Sequence, residues 1–283
     1  MKKLSLILFT ILSQAAVGAF WIIMIVQIYK GTGNLFPFAL IVTNVIMIVS
    51  LIIALGHLGS PSIAFRAITN IRNSWLSREV FLASLFAALC AVFTYLQHTQ
   101  MESGNLHIEI ALVAVFVGFL FIYSMGKLYM LKTVLWWNSI LTPLSFFLTA
   151  IILGGLLINF TLMMDVSIGK TTASSYSIGV IPLMTGSIVL LLGLELLLVP
   201  TRMTRLLSGS NIQKGQVQAF MSQYRHLYYL RLIVVLIGFI WLGIMLLTQN
   251  FNFGFYIVPF GLVIFTELLG RYLFYAEQET SAL

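Results

Sequence analysis

The sequence predicts an all-α integral membrane protein whose eight transmembrane helices form one bundle. Of its 283 residues, 60% are hydrophobic and only 8% are charged, and the mean hydropathy is +1.04. Soluble globular domains carry about 25% charged residues, so this composition excludes a soluble fold. The long runs are apolar on every face, which excludes the alternating pattern of a membrane β-barrel.

Eight segments reach the roughly 20 apolar residues that a helix needs to cross the bilayer. We predict one integral membrane domain over residues 1–283, with spans at approximately 4–28, 35–56, 79–97, 106–126, 139–163, 177–199, 228–248 and 254–274.

The first span has to be distinguished from a cleaved secretory signal. Met1-Lys2-Lys3, an apolar run and Ser13-Gln14-Ala15-Ala16 together imitate such a signal. The run continues to about Ile28, however, whereas a signal core has only about 7–15 apolar residues. We therefore expect a first helix that is retained.

The second and third spans meet at the most informative part of the chain. His57-Leu58-Gly59-Ser60-Pro61 closes the second span, and Glu79 opens the third. Ionisable groups at a membrane boundary are costly enough to be functional candidates, and a histidine exchanges protons near neutral pH. The alternative is a capping or interfacial histidine. Cys90 in the third span is the single cysteine, which excludes intramolecular disulfides and a CxxC zinc site.

The later spans carry three more ionisable groups. Glu195 has no partner in its own span, so it is either neutral or paired across helices. Glu267 and Arg271 are four residues apart on one helical face, where a carboxylate and a guanidinium are cheaper to bury together than singly. In the first span, Gln14 is a further candidate contact, although such residues also serve as interhelical glue.

The positive charges are distributed unequally between the two sides of the membrane. Eight spans place both termini and three loops on one side, which then holds thirteen of the fifteen lysines and arginines, leaving Lys30 and Lys170. The positive-inside rule makes this side cytoplasmic. Residues 57–78 and 200–227 are expected to form long basic loops there, suited to docking an acidic partner.

The sequence does not predict a site for an embedded haem or for other common cofactors. A b-type haem needs buried axial ligands, usually histidines; only His57 and His226 fall on one side, and both lie at span ends. We also find no Walker, dinucleotide, zinc-protease or serine-hydrolase motif, and we expect no metal site. Electrons taken from a lipid-soluble carrier would therefore have to pass to another subunit.

Four motifs, in order across the spans, carry a resemblance to a known family. They are His57-Leu58-Gly59-Ser60-Pro61 with Ala64-Phe65; Leu76-Ser77 with Glu79; Trp137-Asn138-Ser139-Ile140 with Thr142-Pro143 and 146–149; and Glu267-Leu268-Leu269-Gly270-Arg271 with Phe274-Tyr275. On these motifs the chain resembles the membrane-anchor subunits of dimethyl sulfoxide reductase, within the eight-helix quinol-binding anchors that include polysulfide reductase.

The resemblance implies a haem-free, menaquinol-oxidising anchor of the bacterial inner membrane that serves anaerobic respiration. It also implies that the partners are an iron–sulfur subunit and a molybdopterin catalytic subunit. Nucleic acid is not expected as a partner. The family's quinol-site histidine and glutamate correspond to His57 and Glu79. We add as candidate quinol-binding residues Arg66, Gln14, Glu267 and Arg271.

Two other functions stay open at this point. A secondary transporter often has matched broken helices in two repeats, and Pro143 and Pro182 near two span starts suggest such breaks, although helix starts tolerate proline. A purely structural anchor without quinone chemistry is the second alternative. The side of the membrane occupied by the catalytic subunits also stays open.

Overall fold

A computed structural model of the chain describes residues 2–30, 36–58, 70–99, 106–131, 134, 136–168 and 174–281. These residues form eight helices long and apolar enough to cross a membrane, and none of them is in a strand. The predicted all-α membrane fold with eight spans is therefore confirmed. The helices are α1 Lys2–Lys30, α2 Pro37–Leu58, α3 Trp75–Thr99, α4 Leu106–Leu128, α5 Leu141–Ser167, α6 Ser174–Leu207, α7 Asn211–Thr248 and α8 Phe253–Ser281.

The centre of the bundle is formed by α1 and α5, the two helices with the most buried apolar stretches. They approach so closely that a side chain on Gly18 of α1 would collide with the backbone carbonyl of Ala150 on α5. Gly154, one turn further along α5, faces the backbone of Gly18 and Ala19 in the same way. Small residues permit this close helix contact, which is the usual basis of helix association in lipid.

The other helices surround this central pair. Helix α2 packs along α1, and α3 packs along α4. Helices α6, α7 and α8 pack on one another in sequence, α6 also packs on α5, and α8 reaches back to both α5 and α1. The carboxyl-terminal helix is thereby placed against the first helix, which brings together polar residues from opposite ends of the sequence.

The expected long basic loop over 200–227 is wrong. Helix α6 continues to Leu207 and α7 begins at Asn211, so three residues connect them. Ser210 caps α7: its hydroxyl accepts a hydrogen bond from the backbone of Gln213, whose side chain accepts one from the Ser210 backbone. Hydropathy detects only the apolar length of a helix, whereas this capping box marks the beginning of a helix that is polar in its first turns.

Helix α3 begins four residues earlier than the predicted span, at Trp75. The preceding residues fold back onto it, because Arg78 donates hydrogen bonds to the carbonyls of Ile71 and Arg72 at 2.9 and 2.7 Å. The Arg78 guanidinium also lies 4.2 Å from the centre of the Trp75 ring. Glu79 consequently lies in the second turn of a regular helix rather than at its first residue.

Candidate functional site

His57 is the penultimate residue of α2, close to the beginning of α1. One turn earlier, the carbonyl of Ile53 accepts a hydrogen bond from the hydroxyl of Ser5 on α1. A β-carbon on Gly56 would lie 3.3 Å from the same hydroxyl. The backbone of His57 is thus held beside the first turns of α1. The side chain of His57 and the whole of Arg66 lie outside the described residues.

Glu79 is one of two carboxyl groups of the predicted site that the structure describes as buried. Only 2% of the residue is exposed, and its Oε1 has no hydrogen-bond partner among the described residues. Buried polar groups are nearly always hydrogen-bonded, so a carboxyl left in this state requires an explanation. Proton transfer or the binding of a polar ligand would provide one.

Two tyrosines that were not predicted from the sequence as site residues lie near Glu79. The hydroxyls of Tyr129, just after α4, and Tyr275 on α8 are 2.9 Å apart, and Glu79 interacts electrostatically with both. Burial raises the pKa of Tyr129 well above its ordinary value, and nearby Tyr275 and Glu79 raise it further, against a smaller opposing effect of Arg271. The phenol therefore stays protonated and can donate a hydrogen bond.

Gln14 and Arg271 meet directly, at the contact between α1 and α8. The Arg271 guanidinium donates to the side-chain oxygen of Gln14 at 2.9 Å, and the Gln14 amide nitrogen lies 3.4 Å from the sulfur of Met125. One turn away on both helices, Tyr275 lies within hydrogen-bonding reach of Thr10. The Gln14–Arg271 and Thr10–Tyr275 pairs are therefore two successive buried polar contacts between α1 and α8, which run antiparallel.

Arg271 also contacts an aromatic ring. Its guanidinium carbon is 3.8 Å from the centre of the Phe146 ring on α5, a distance at which a cation is attracted to the face of the ring. Arg271 is only 5% exposed. The positive charge is therefore held in a fixed place within the bundle rather than at its surface.

Glu267 lies one turn before Arg271 on α8. The two charged residues share a helical face, as predicted, but they do not bond to each other. One Glu267 oxygen accepts a hydrogen bond from Thr149 on α5 at 2.8 Å, and the other has no partner among the described residues. Glu267 lines a cavity between α5 and α8, as does Arg271.

Glu195 is paired across helices, which decides between the two alternatives that its sequence position left open. Its carboxylate accepts a hydrogen bond from the guanidinium of Arg231 on α7. A second interhelical pair joins Arg202 on α6 to Glu277 on α8 at 3.0 Å. The sequence predicted neither partner, because both pairs join residues at least 36 positions apart.

The described candidate residues thus fall into two groups that meet at Arg271. Glu79, Gln14, Tyr129, Tyr275 and Arg271 form what we call the polar cluster. Glu267 belongs instead to the cavity between α5 and α8. Tyr275 stands in one of the motifs that carry the resemblance, which was the only sequence signal for it; Tyr129 had none, since a tyrosine at a span end is ordinary in membrane proteins.

Comparison with known proteins shows the family to which the chain is similar. The family model described as DMSO reductase anchor subunit (DmsC) matches residues 1–276. The C subunit of the anaerobic dimethyl sulfoxide reductase of Escherichia coli K12 is 27% identical over 279 residues, which cover 95% of this chain and 93% of that protein. The YnfH subunit of anaerobic dimethyl sulfoxide reductase, also from E. coli K12, is 26% identical over 286 residues, with the same coverage.

A further relative matches over part of its length. The C subunit of the anaerobic dimethyl sulfoxide reductase of Haemophilus influenzae is 29% identical over 167 residues, which span 57% of this chain and 58% of that protein. No solved structure matches this chain. Since the family model covers nearly the whole chain, from α1 into the last turns of α8, the chain belongs to the family of DMSO reductase anchor subunits.

Proposed function

We propose that this chain is the membrane anchor and menaquinol-oxidising subunit of a molybdopterin-dependent reductase of the DMSO reductase type. It would hold an iron–sulfur subunit and a molybdopterin subunit at the bacterial inner membrane, and pass them electrons during anaerobic respiration. Family membership supports the anchoring role. The quinol chemistry rests on the polar cluster.

The observation that carries the proposal is the unpartnered carboxyl oxygen of Glu79. It is buried at the same end of the bundle as the tyrosine pair. A quinol is a neutral, lipid-soluble molecule whose two hydroxyls must each lose a proton as the ring loses two electrons. A buried carboxylate with one oxygen that has no hydrogen-bond partner among the described residues is suited to accept such a proton when that oxygen lies within about 3 Å of the hydroxyl.

Each residue of the site has a separate role in the proposed oxidation of the quinol. His57 accepts a hydrogen bond from one quinol hydroxyl and takes up its proton, and Glu79 passes protons toward water. Arg271 is a fixed positive charge, held by Gln14 and the Phe146 ring, and it stabilises negative charge on the ring oxygen as the proton leaves. The two electrons would leave one after the other for the partner subunit, whose iron–sulfur clusters each carry one electron at a time, and the quinone would return to the lipid.

The experiment that tests this function compares two histidine variants of the assembled complex. His57→Ala should abolish quinol-driven reduction but leave reduction driven by an artificial dye, because the dye delivers electrons directly to the partner subunits. His98→Ala is the matched control, since His98 is exposed in the last turn of α3, away from Glu79 in the second. It should leave both activities unchanged.

Unchanged quinol-driven turnover in His57→Ala would reject the assignment. If a quinol-site inhibitor also fails to bind the unaltered complex, the chain is a structural anchor without quinone chemistry.

A further inference from the structure

Three positively charged residues lie together where α3 begins and α4 ends. The Arg78 guanidinium donates a hydrogen bond to the carbonyl of Arg72 and lies over the Trp75 ring. On α4, the Lys127 Nζ lies 5.7 Å from the centre of the Tyr123 ring. The Trp75 and Tyr123 rings contact each other edge to face, with their centres 6.1 Å apart. We call these five residues the basic aromatic site.

The basic aromatic site contains no negative charge. None of its three cations has a carboxylate partner among the described residues. The sequence has no acidic residue at positions 1–78 or 110–164, and the intervening Glu79 is only 2% exposed, whereas its neighbour Arg78 is partly exposed. Like charges that are held together repel each other, so an anion from outside the chain would stabilise this arrangement.

The site lies at the end of a lipid-facing stripe on α4. Phe116, Phe119, Tyr123 and Lys127 recur every three or four residues, so they share one helical face. Phe116 and Phe119 are 61% and 50% exposed, and such apolar side chains on a membrane-spanning helix contact acyl chains. Tryptophan and tyrosine are enriched where the acyl chains meet the headgroups. The three cations are therefore at the depth of the lipid phosphates.

We propose that the basic aromatic site binds the phosphate of an anionic phospholipid whose acyl chains lie along the exposed face of α4. Clusters of arginine and lysine beside membrane spans recognise anionic headgroups in this way. A zwitterionic lipid is less suited, because its ammonium would meet three cations and no carboxylate. An acidic soluble subunit is also less suited, because the cations continue a surface that faces acyl chains.

The bound lipid would order the beginning of α3. Arg78 already joins the preceding turn to this helix through its bonds to the carbonyls of Ile71 and Arg72, and Glu79 follows it directly. A phosphate bound to the outer side of this turn would help to fix the position of Glu79 on its inner side. No residue of the basic aromatic site is a candidate quinol ligand, so lipid binding does not depend on the proposed quinol chemistry.

The test compares two double variants of the assembled complex that remove the same charge. Arg72→Gln with Lys127→Gln removes two of the three cations and keeps Arg78, which holds the preceding turn. Lys214→Gln with Arg225→Gln is the matched control, because both residues are exposed on α7 and neither contacts the basic aromatic site. Native mass spectrometry with added phosphatidylglycerol or phosphatidylethanolamine measures the affinity of each complex for each lipid.

The unaltered complex and the control should each retain one firmly bound phosphatidylglycerol. The site variant should bind this lipid roughly 25-fold more weakly, which is about fivefold for each lost cation, while its affinity for phosphatidylethanolamine stays the same. Equal losses in the two double variants would overturn the proposal, because the attraction would then follow net charge alone. A preference of the unaltered complex for phosphatidylethanolamine would also overturn it.

Loss of the soluble subunits from the site variant, with phosphatidylglycerol still bound, would mean that these cations dock a protein and that the lipid assignment is wrong. Photocrosslinking of the unaltered complex covers the case in which the site variant does not assemble. Phosphatidylglycerol with a photoreactive acyl chain should label residues 112–123 more strongly than phosphatidylethanolamine with the same chain. Equal labelling by the two lipids, or none in this segment, would contradict the proposal.

Discussion

At the scale of single residues, the most unusual feature of the polar cluster is the carboxyl group of Glu79. Glu79 is buried without a hydrogen bond to one oxygen, while the neighbouring tyrosines bond to each other. If Glu79 had a direct partner such as an arginine within 4 Å, its charge would be neutralised and its proton affinity would fall. Leaving one oxygen without a partner among the described residues is a cost in stability that proton transfer would explain.

Glu79→Gln should reduce quinol-driven turnover by at least about 100-fold, the usual contribution of a positioned proton acceptor. The substitution keeps the size of the side chain but removes its ability to take a proton. Turnover with a reduced quinol analogue measures the effect, and dye-driven activity shows whether the complex has assembled. Glu109→Gln, at an exposed position in the first turn of α4, is the control. Normal turnover in Glu79→Gln would remove Glu79 from the proton path.

The hydrogen bond between Tyr129 and Tyr275 predicts that the effects of substituting the two residues on stability are not additive. Tyr129→Phe and Tyr275→Phe each remove the same hydroxyl contact, so the double variant should lose less than the sum of the single variants. The coupling free energy should be about 1 kcal/mol, as for one hydrogen bond between neutral groups. Thermal unfolding of the detergent-solubilised chain measures it. Strictly additive losses would mean that the 2.9 Å contact contributes nothing.

At the scale of elements, the contact between α1 and α5 is the tightest constraint on the bundle. Gly18 lies against the Ala150 carbonyl, and Gly154 lies against the backbone of Gly18. Backbone atoms cannot move away as a flexible side chain can. The α1–α5 spacing therefore fixes where Gln14 lies relative to Phe146, and with it the position of Arg271 between them.

Gly18→Ala should destabilise the bundle by about 3 kcal/mol, the upper end of the usual cost of overpacking, because the obstacle is backbone. Gly243→Ala on α7 is the matched control: a β-carbon there meets no atom within 4 Å. Unfolding temperature and the yield of assembled complex should fall only in the first variant. If both behave alike, the close approach of α1 and α5 is not a determinant of stability.

The ion pair between α6 and α7 predicts that a single substitution destabilises the protein more than a double substitution that replaces both partners. Arg231→Met leaves the Glu195 carboxylate buried without its partner, which costs about 3–5 kcal/mol in buried pairs. Adding Glu195→Leu should recover most of that loss, since an apolar pair needs no compensation. The free energy of unfolding is measured for the unaltered protein, for Arg231→Met and for the double variant. A double variant no more stable than Arg231→Met would contradict the prediction.

At the scale of the whole molecule, the sequence predicted the fold better than the site. Apolar length alone located all eight helices, because the bilayer imposes a minimum span on each of them. It failed at 200–227, where most residues belong to the polar ends of α6 and α7 and only three residues connect the two helices. The site depends on contacts such as Gln14 with Arg271, 257 residues apart in the chain. Such contacts follow from how helices pack, and no local pattern in the sequence encodes them.

The asymmetric distribution of lysine and arginine makes a prediction about the orientation of the chain. With thirteen of fifteen basic residues on the side of the termini, both termini should face the cytoplasm. A fluorescent protein fused after Leu283 should fluoresce, and alkaline phosphatase fused at the same place should be inactive. The reverse pattern would place the basic side outside the cytoplasm.

The extended helices α6 and α7 have a consequence for how a neighbour could sit on this protein. With 38 residues, α7 is about 57 Å long at roughly 1.5 Å per residue, far more than the hydrocarbon thickness of about 30 Å. Because three residues join it to α6, we expect the excess length to extend beyond the lipid as an antiparallel helical hairpin with Ser208, Gly209 and Ser210 at its tip. Any subunit that covers this end of the bundle needs a groove that accommodates this hairpin. Contact between the hairpin and the groove would fix the rotation of that subunit about the membrane normal.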